Sequence, residues 1–90
     1  MLVTVEPNPF SATTRIAFDL PQSGRGELTL FDARGREVRR FARTAAQPGR
    51  WEVAWDGRDA QGGELPGGVY FYRLGLGAKN LAEGKIVRIR

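Results

Sequence analysis

Alternation across residues 51–55 constrains the fold more than anything else in the chain. In Trp51-Glu52-Val53-Ala54-Trp55 the large apolar side chains fall on every second position, with Glu52 and Ala54 between them. A period of two with aromatic and β-branched residues describes a strand buried on one face. Gly68-Val69-Tyr70-Phe71-Tyr72-Arg73-Leu74 starts a second strand beyond a Gly- and Asp-rich loop. Two tryptophans and two tyrosines in 90 residues supply much of the apolar area available to a core.

The remaining segments agree. Leu2 to Glu6 alternates and predicts a first edge strand, stopped at Pro7-Asn8-Pro9-Phe10 because proline lacks the ladder donor. Arg15 to Leu20 places Ile16, Phe18 and Leu20 on one face. Glu27 to Asp32 places Leu28 and Leu30 inward and Phe31 on the opposite face. Asp32-Ala33-Arg34-Gly35 predicts a hairpin whose glycine takes the left-handed position of a bulge. The returning strand, Arg36 to Phe41, offers Val38 and Phe41, and its charge suits a sheet edge. Ala42 to Arg50 reads as a loop, and Gly75 to Gly84 as a permissive connection. Lys85 to Arg90 reads as a last strand that turns Ile86 inward, with Val87 or Ile89. Seven short strands, with turns about every ten residues, favour an all-β, immunoglobulin-like sandwich occupying residues 1–90 as one domain. The expected core is Ile16, Phe18, Leu30, Trp51, Val53, Trp55, Tyr70 and Tyr72, one tyrosine hydroxyl bonding to backbone as in a tyrosine corner.

Chemistry is limited by what is missing. The chain has no cysteine and no histidine, which removes disulfides, Ser-His and Cys-His arrangements and the commonest zinc ligands. Asp56-Gly57-Arg58-Asp59 looks at first like a calcium loop. Calcium wants about six to eight oxygens, whereas this loop offers two carboxylates at the wrong spacing. Asx turns that cap the loop's own amides explain both aspartates. The glycine pairs precede no helix, so they are not phosphate loops. The sequence therefore predicts no catalytic residue, no cofactor and no metal.

A net charge of +4 raises nucleic-acid binding. The arginines are scattered, however, and the densest group (Arg34, Arg36, Arg39, Arg40 and Arg43) is interrupted by Asp32 and Glu37. A solvated basic strand accounts for it, and no nucleic-acid partner is expected. No apolar run approaches the roughly 18 residues of a membrane span. Met1 to Val5 lacks the basic start and apolar run of a signal peptide. The expectation is therefore a mature fragment, an excised domain or a cytoplasmic protein.

The order of motifs resembles a family. Asn8-Pro9-Phe10, Thr13 to Phe18, Leu30 to Val38, Trp55 to Asp59 and Gly68 to Tyr72, followed by a basic last strand, are similar to bacterial C-terminal domains of the flagellar-hook-cap immunoglobulin-like group. That group includes sorting domains of the type IX (Por) secretion system. The resemblance implies a non-catalytic tail of a secreted or cell-surface bacterial protein, read by secretion machinery. In the sorting branch the matching motifs are Pro7-Asn8-Pro9, Gly68-Val69-Tyr70 and Lys85-Ile86-Val87-Arg88. The alternative expectation is a structural subunit that assembles with copies of itself, by strand addition, into a fibre or layer; a surface- or carbohydrate-binding module stands behind both. Period two sends Phe31, Val69 and Phe71 outward, and with Lys85, Arg88 and Arg90 of the last strand these form the expected partner contact.

Overall fold

A computed structural model describes residues 3–89. Seven strands form two antiparallel sheets: β1 (Val3–Glu6), β2 (Thr14–Leu20), β3 (Gly24–Phe31), β4 (Glu37–Ala45), β5 (Gly49–Trp55), β6 (Gly68–Leu76) and β7 (Lys79–Arg88). One sheet has the order β1-β2-β5 and the other β4-β3-β6-β7. This is an all-β immunoglobulin-like sandwich.

Alternation sets which face of each strand is buried. Ile16, Phe18 and Leu20 of β2 and Trp51, Val53 and Trp55 of β5 face Leu28 and Leu30 of β3 and Tyr70, Leu74 and Leu76 of β6. Trp55 is fully buried, with Phe10 and Tyr70 rings packed on it at 5.5 and 5.4 Å between centroids. Phe18 meets Trp51 edge-on at 5.1 Å, the arrangement favoured by ring quadrupoles. The Tyr70 hydroxyl donates to the Pro66 carbonyl, four residues upstream, as a tyrosine corner does. Tyr72 lies on the inward face but is only half-buried.

Two segments differ from the sequence expectation. β4 runs on to Ala45 and β5 begins at Gly49, so most of the expected 42–50 loop is ladder, with Gly24 opposite Ala45. The expected 75–84 connection is a β-hairpin: Leu76 pairs with Lys79 across a two-residue turn in which Gly77 has φ +59. Its glycines misled because two of them lie inside strands. Gly75 sits at a bulge, and Gly84 lies opposite Tyr72, whose ring occupies the space a Cβ would need.

Candidate interaction surface

The outer face of the four-stranded sheet is built by the other half of the same alternation. In β3, Glu27, Thr29 and Phe31 point away from the core; in β6, Val69, Phe71 and Arg73 do. The β3–β6 register sets Phe31 directly against Phe71 and Thr29 against Arg73. The β6–β7 register extends these rows, pairing Phe71 with Lys85, Val69 with Val87 and Arg73 with Glu83. Phe31, Phe71 and Lys85 therefore form one cross-strand row.

The rings are not equally open. The Arg73 guanidinium lies over Phe31, 5.2 Å from its centroid, and is held there by Glu83 at 3.1 Å. Phe31 is half-buried as a result, whereas Phe71 and Val69 remain 42% and 38% exposed. Between the Asp32–Gly35 hairpin and β7 the row floors an open groove of about 750 Å³. The hairpin wall is fixed by its own carboxylate. Asp32 accepts from the Arg34 and Arg36 amides, both at 2.9 Å, and from the Arg36 guanidinium; these bonds hold its pKa below the usual carboxylate value. Gly35 adopts φ +85 in the turn, the left-handed conformation expected there.

Arg88 is the principal correction among the expected contact residues. It is 7% exposed, and its guanidinium donates to the carbonyls of Gly57 (2.7 Å) and Leu65 (2.9 Å), with Glu64 at 3.8 Å and the Phe10 ring 5.9 Å away. The reason is parity: two residues after buried Ile86, Arg88 falls on the inward face, while Val87 and Ile89 face outward. Gly57 permits this seat twice over, since its φ is +75 and a Cβ there would lie 2.3 Å from the guanidinium. Arg90, also expected at the contact, lies outside the described residues, as does Leu2 of the first strand.

The Pro-Asn-Pro segment also has an internal task. Asn8 donates from Nδ2 to the Lys85 carbonyl (3.1 Å) and accepts from the Val87 amide (2.9 Å). Phe10 continues this by donating to the Val87 carbonyl and accepting from the Ile89 amide. The free edge of β7 is thus capped over residues 85–89. Sequence reasoning missed Phe10 as a core residue because it lies outside any strand; the signal was a large ring directly after two prolines. The aspartates of the glycine loop act on their own backbone: Asp56 accepts from the Arg58 amide, and Asp59 from those of Gln61 and Gly63. Their carboxylates form Asx turns.

A sequence model for the FlgD Ig-like domain matches residues 5–76. The chain belongs to this family. Among solved structures, FlgD from Xanthomonas campestris, described in connection with hook capping in flagellar assembly, is similar with a TM-score of 0.67 and 21% identity, over 97% of this chain and 62% of that one. Dimeric latent PorU from Porphyromonas gingivalis gives 0.78 at 19% identity, over 97% of this chain and 9% of PorU. PorZ, a surface component of the type-IX secretion system of the same organism, gives 0.68 at 22% identity, over 98% of this chain and 11% of PorZ. The FlgD Ig-like chain thus spans less than two thirds of each of these proteins, and at such identities the likeness concerns the fold. No curated protein sequence matches it.

Proposed function

We propose that this FlgD Ig-like chain acts as one non-catalytic module of an exported bacterial protein, sorting or anchoring its parent at the cell surface through protein–protein contacts. The observation that carries the reading is the outer face of β3 and β6. Phe31 and Phe71 stand side by side there, and Phe71 and Val69 are left open to solvent on a sheet whose other face already holds the core. Apolar side chains gathered on a polar sheet face commonly mark a contact surface. The family and the Por-system structures with the same fold supply the context of hook assembly and secretion.

Self-assembly by strand addition stands second, because both edges of the four-stranded sheet that carries the Phe31–Phe71 face are encumbered. β7 is capped by Asn8 and Phe10, and β4 is bonded at Val38 by the Ala60 amide and bears Arg39, Arg40 and Arg43 beyond that point.

The test is surface delivery of a reporter fused ahead of the chain, in a bacterium with a type IX system. Deleting the last strand would be uninformative, since Ile86 and Arg88 are buried and the module would unfold. Phe71→Ser and Lys85→Glu touch only the outer face. Delivery by the parent fusion and periplasmic retention of both variants is the expected result. Equal delivery by all three would remove the sorting role.

A further inference from the structure

The groove over the Phe31–Phe71 row has a definite size and charge, and both bear on what it holds. The exposed apolar area of this face comes mainly from Phe71 at 42%, which lines the groove, and Val69 at 38%, which lies on the same face outside its lining. With up to roughly 150–250 Å² on an aromatic side chain, this amounts to on the order of 200 Å². A stable protein–protein interface takes about 800 Å² from each partner, of which roughly 450 Å² is apolar. A second copy laid face to face would find too little to hold it, whereas a segment of a few residues would be well covered.

Charge narrows the occupant. The acids of this face are engaged: Glu83 by Arg73, Glu37 by Arg40, Glu27 by Arg25 and Arg40, and Asp32 by its own hairpin. Lys85, at the end of the row, and Arg34, on the hairpin that walls the groove, have no acidic partner among the described residues. The charge left over is positive: Lys85 lines the groove, and Arg34 stands on the hairpin between the lining residues Ala33 and Gly35. The β7 backbone is closed over residues 85–89 by Asn8 and Phe10, so an occupant lies on the face rather than extending the sheet at that end.

We infer that this groove takes a short extended segment of an acidic partner protein, in which an aromatic or aliphatic residue flanked by carboxylates sits on the Phe31–Phe71 row and the carboxylates meet Lys85 and Arg34. The inference rests on the reading of this face as a protein-contact surface and names the chemistry of the contact. Such a site is salt-sensitive, since both cations are exposed.

The probe is a blocked pentapeptide, Gly-Glu-Phe-Glu-Gly, titrated into the full 90-residue chain at low salt and followed by amide chemical shifts. The expected shifts fall on Phe31, Arg34, Val69, Phe71 and Lys85. Gly-Lys-Phe-Lys-Gly and Gly-Glu-Ser-Glu-Gly should each bind at least fivefold more weakly. Lys85→Glu should weaken binding of the first peptide about tenfold without altering the melting temperature, and Arg34→Glu should weaken it in the same direction. No binding at millimolar peptide, equal binding of the acidic and basic peptides, or shifts elsewhere overturns the inference. So does concentration-dependent self-association through this face, which would make the occupant a second copy. If Phe71→Ser abolishes reporter delivery while no peptide binds, the contact face stands and its occupant was misassigned. If the peptide binds as described while delivery is unaffected by Phe71→Ser, the groove stands and the sorting role falls.

Discussion

Arg88 shows most clearly how single residues in this chain divide between structure and surface. A basic residue near the end of a basic strand reads as solvated, yet period two from Ile86 already assigns it inward. What the sequence could not show is where its donors go, because Gly57 and Leu65 lie more than twenty residues away and present carbonyls rather than side chains. Arg88 ties the last strand to the glycine loop. Removing it takes a donor from the part-buried Leu65 carbonyl, leaves the Gly57 carbonyl with the Leu65 amide alone, and opens a void beside Phe10. Arg88→Ala is expected to lower the unfolding free energy by about 3–5 kcal/mol, the range for breaking a buried charged contact. Both carbonyls are met by one nitrogen, Nη1, while Nη2 faces Glu64 at 3.8 Å and the guanidinium plane packs near Phe10. A lysine ammonium keeps the charge but not this second nitrogen or the planar packing, so Arg88→Lys should recover only part of the loss. Urea denaturation of the two variants checks this, and an Arg88→Lys protein as stable as the parent would show that geometry at this seat is unimportant.

At the scale of elements, β7 is the strand whose boundaries were least legible. Glycine signals a loop, yet Gly75 and Gly84 belong to the ladder. Gly84 is required there by its neighbour, because the Tyr72 ring lies where a side chain would start. Burial raises the pKa of the Tyr72 phenol, and burial is also the leading cause of the rise at Tyr70. A phenol whose pKa is higher when folded favours the folded state fully below its unfolded value near 10. That contribution is lost as pH rises through the folded value, because the unfolded chain ionises first. Stability should therefore be flat with respect to these groups through neutral pH and fall above about 10. In Gly84→Ala the new methyl displaces the Tyr72 ring toward solvent, and one of the two tyrosinate transitions should move back toward the ordinary value. Absorbance at the tyrosinate band follows both. Unchanged titration of both phenols in Gly84→Ala would mean that the ring had not been held by the glycine.

For the whole molecule, alternation carried much of the architecture: the aromatic face of β5 and the charged edge at β4 follow from period two and turn residues, whereas the pairing of β3 with β6 follows from the strand order of an immunoglobulin-like sandwich. The face of Phe31 and Phe71 was legible for the same reason, whereas the caps by Asn8 and Phe10 were not, since they join residues nearly eighty positions apart. The division into an inner and an outer aromatic set makes opposite predictions for residues of similar size. Trp55 is fully buried between the Phe10 and Tyr70 rings. Trp55→Ala should cost about 3–5 kcal/mol through lost transfer energy and a cavity. Against a typical total of roughly 5–15 kcal/mol, that endangers the fold. Phe71 is 42% exposed and its partner Phe31 is shielded chiefly by an arginine stem. The double variant Phe31→Ser with Phe71→Ser should lose only about 1–2 kcal/mol, from a cross-strand aromatic pair and partial burial. Its far-ultraviolet spectrum and cooperative unfolding should be retained, while partner contact is abolished. An unfolded double variant would assign these rings to the core, and the outer face of the sheet would then lose its claim to be the surface through which the molecule works.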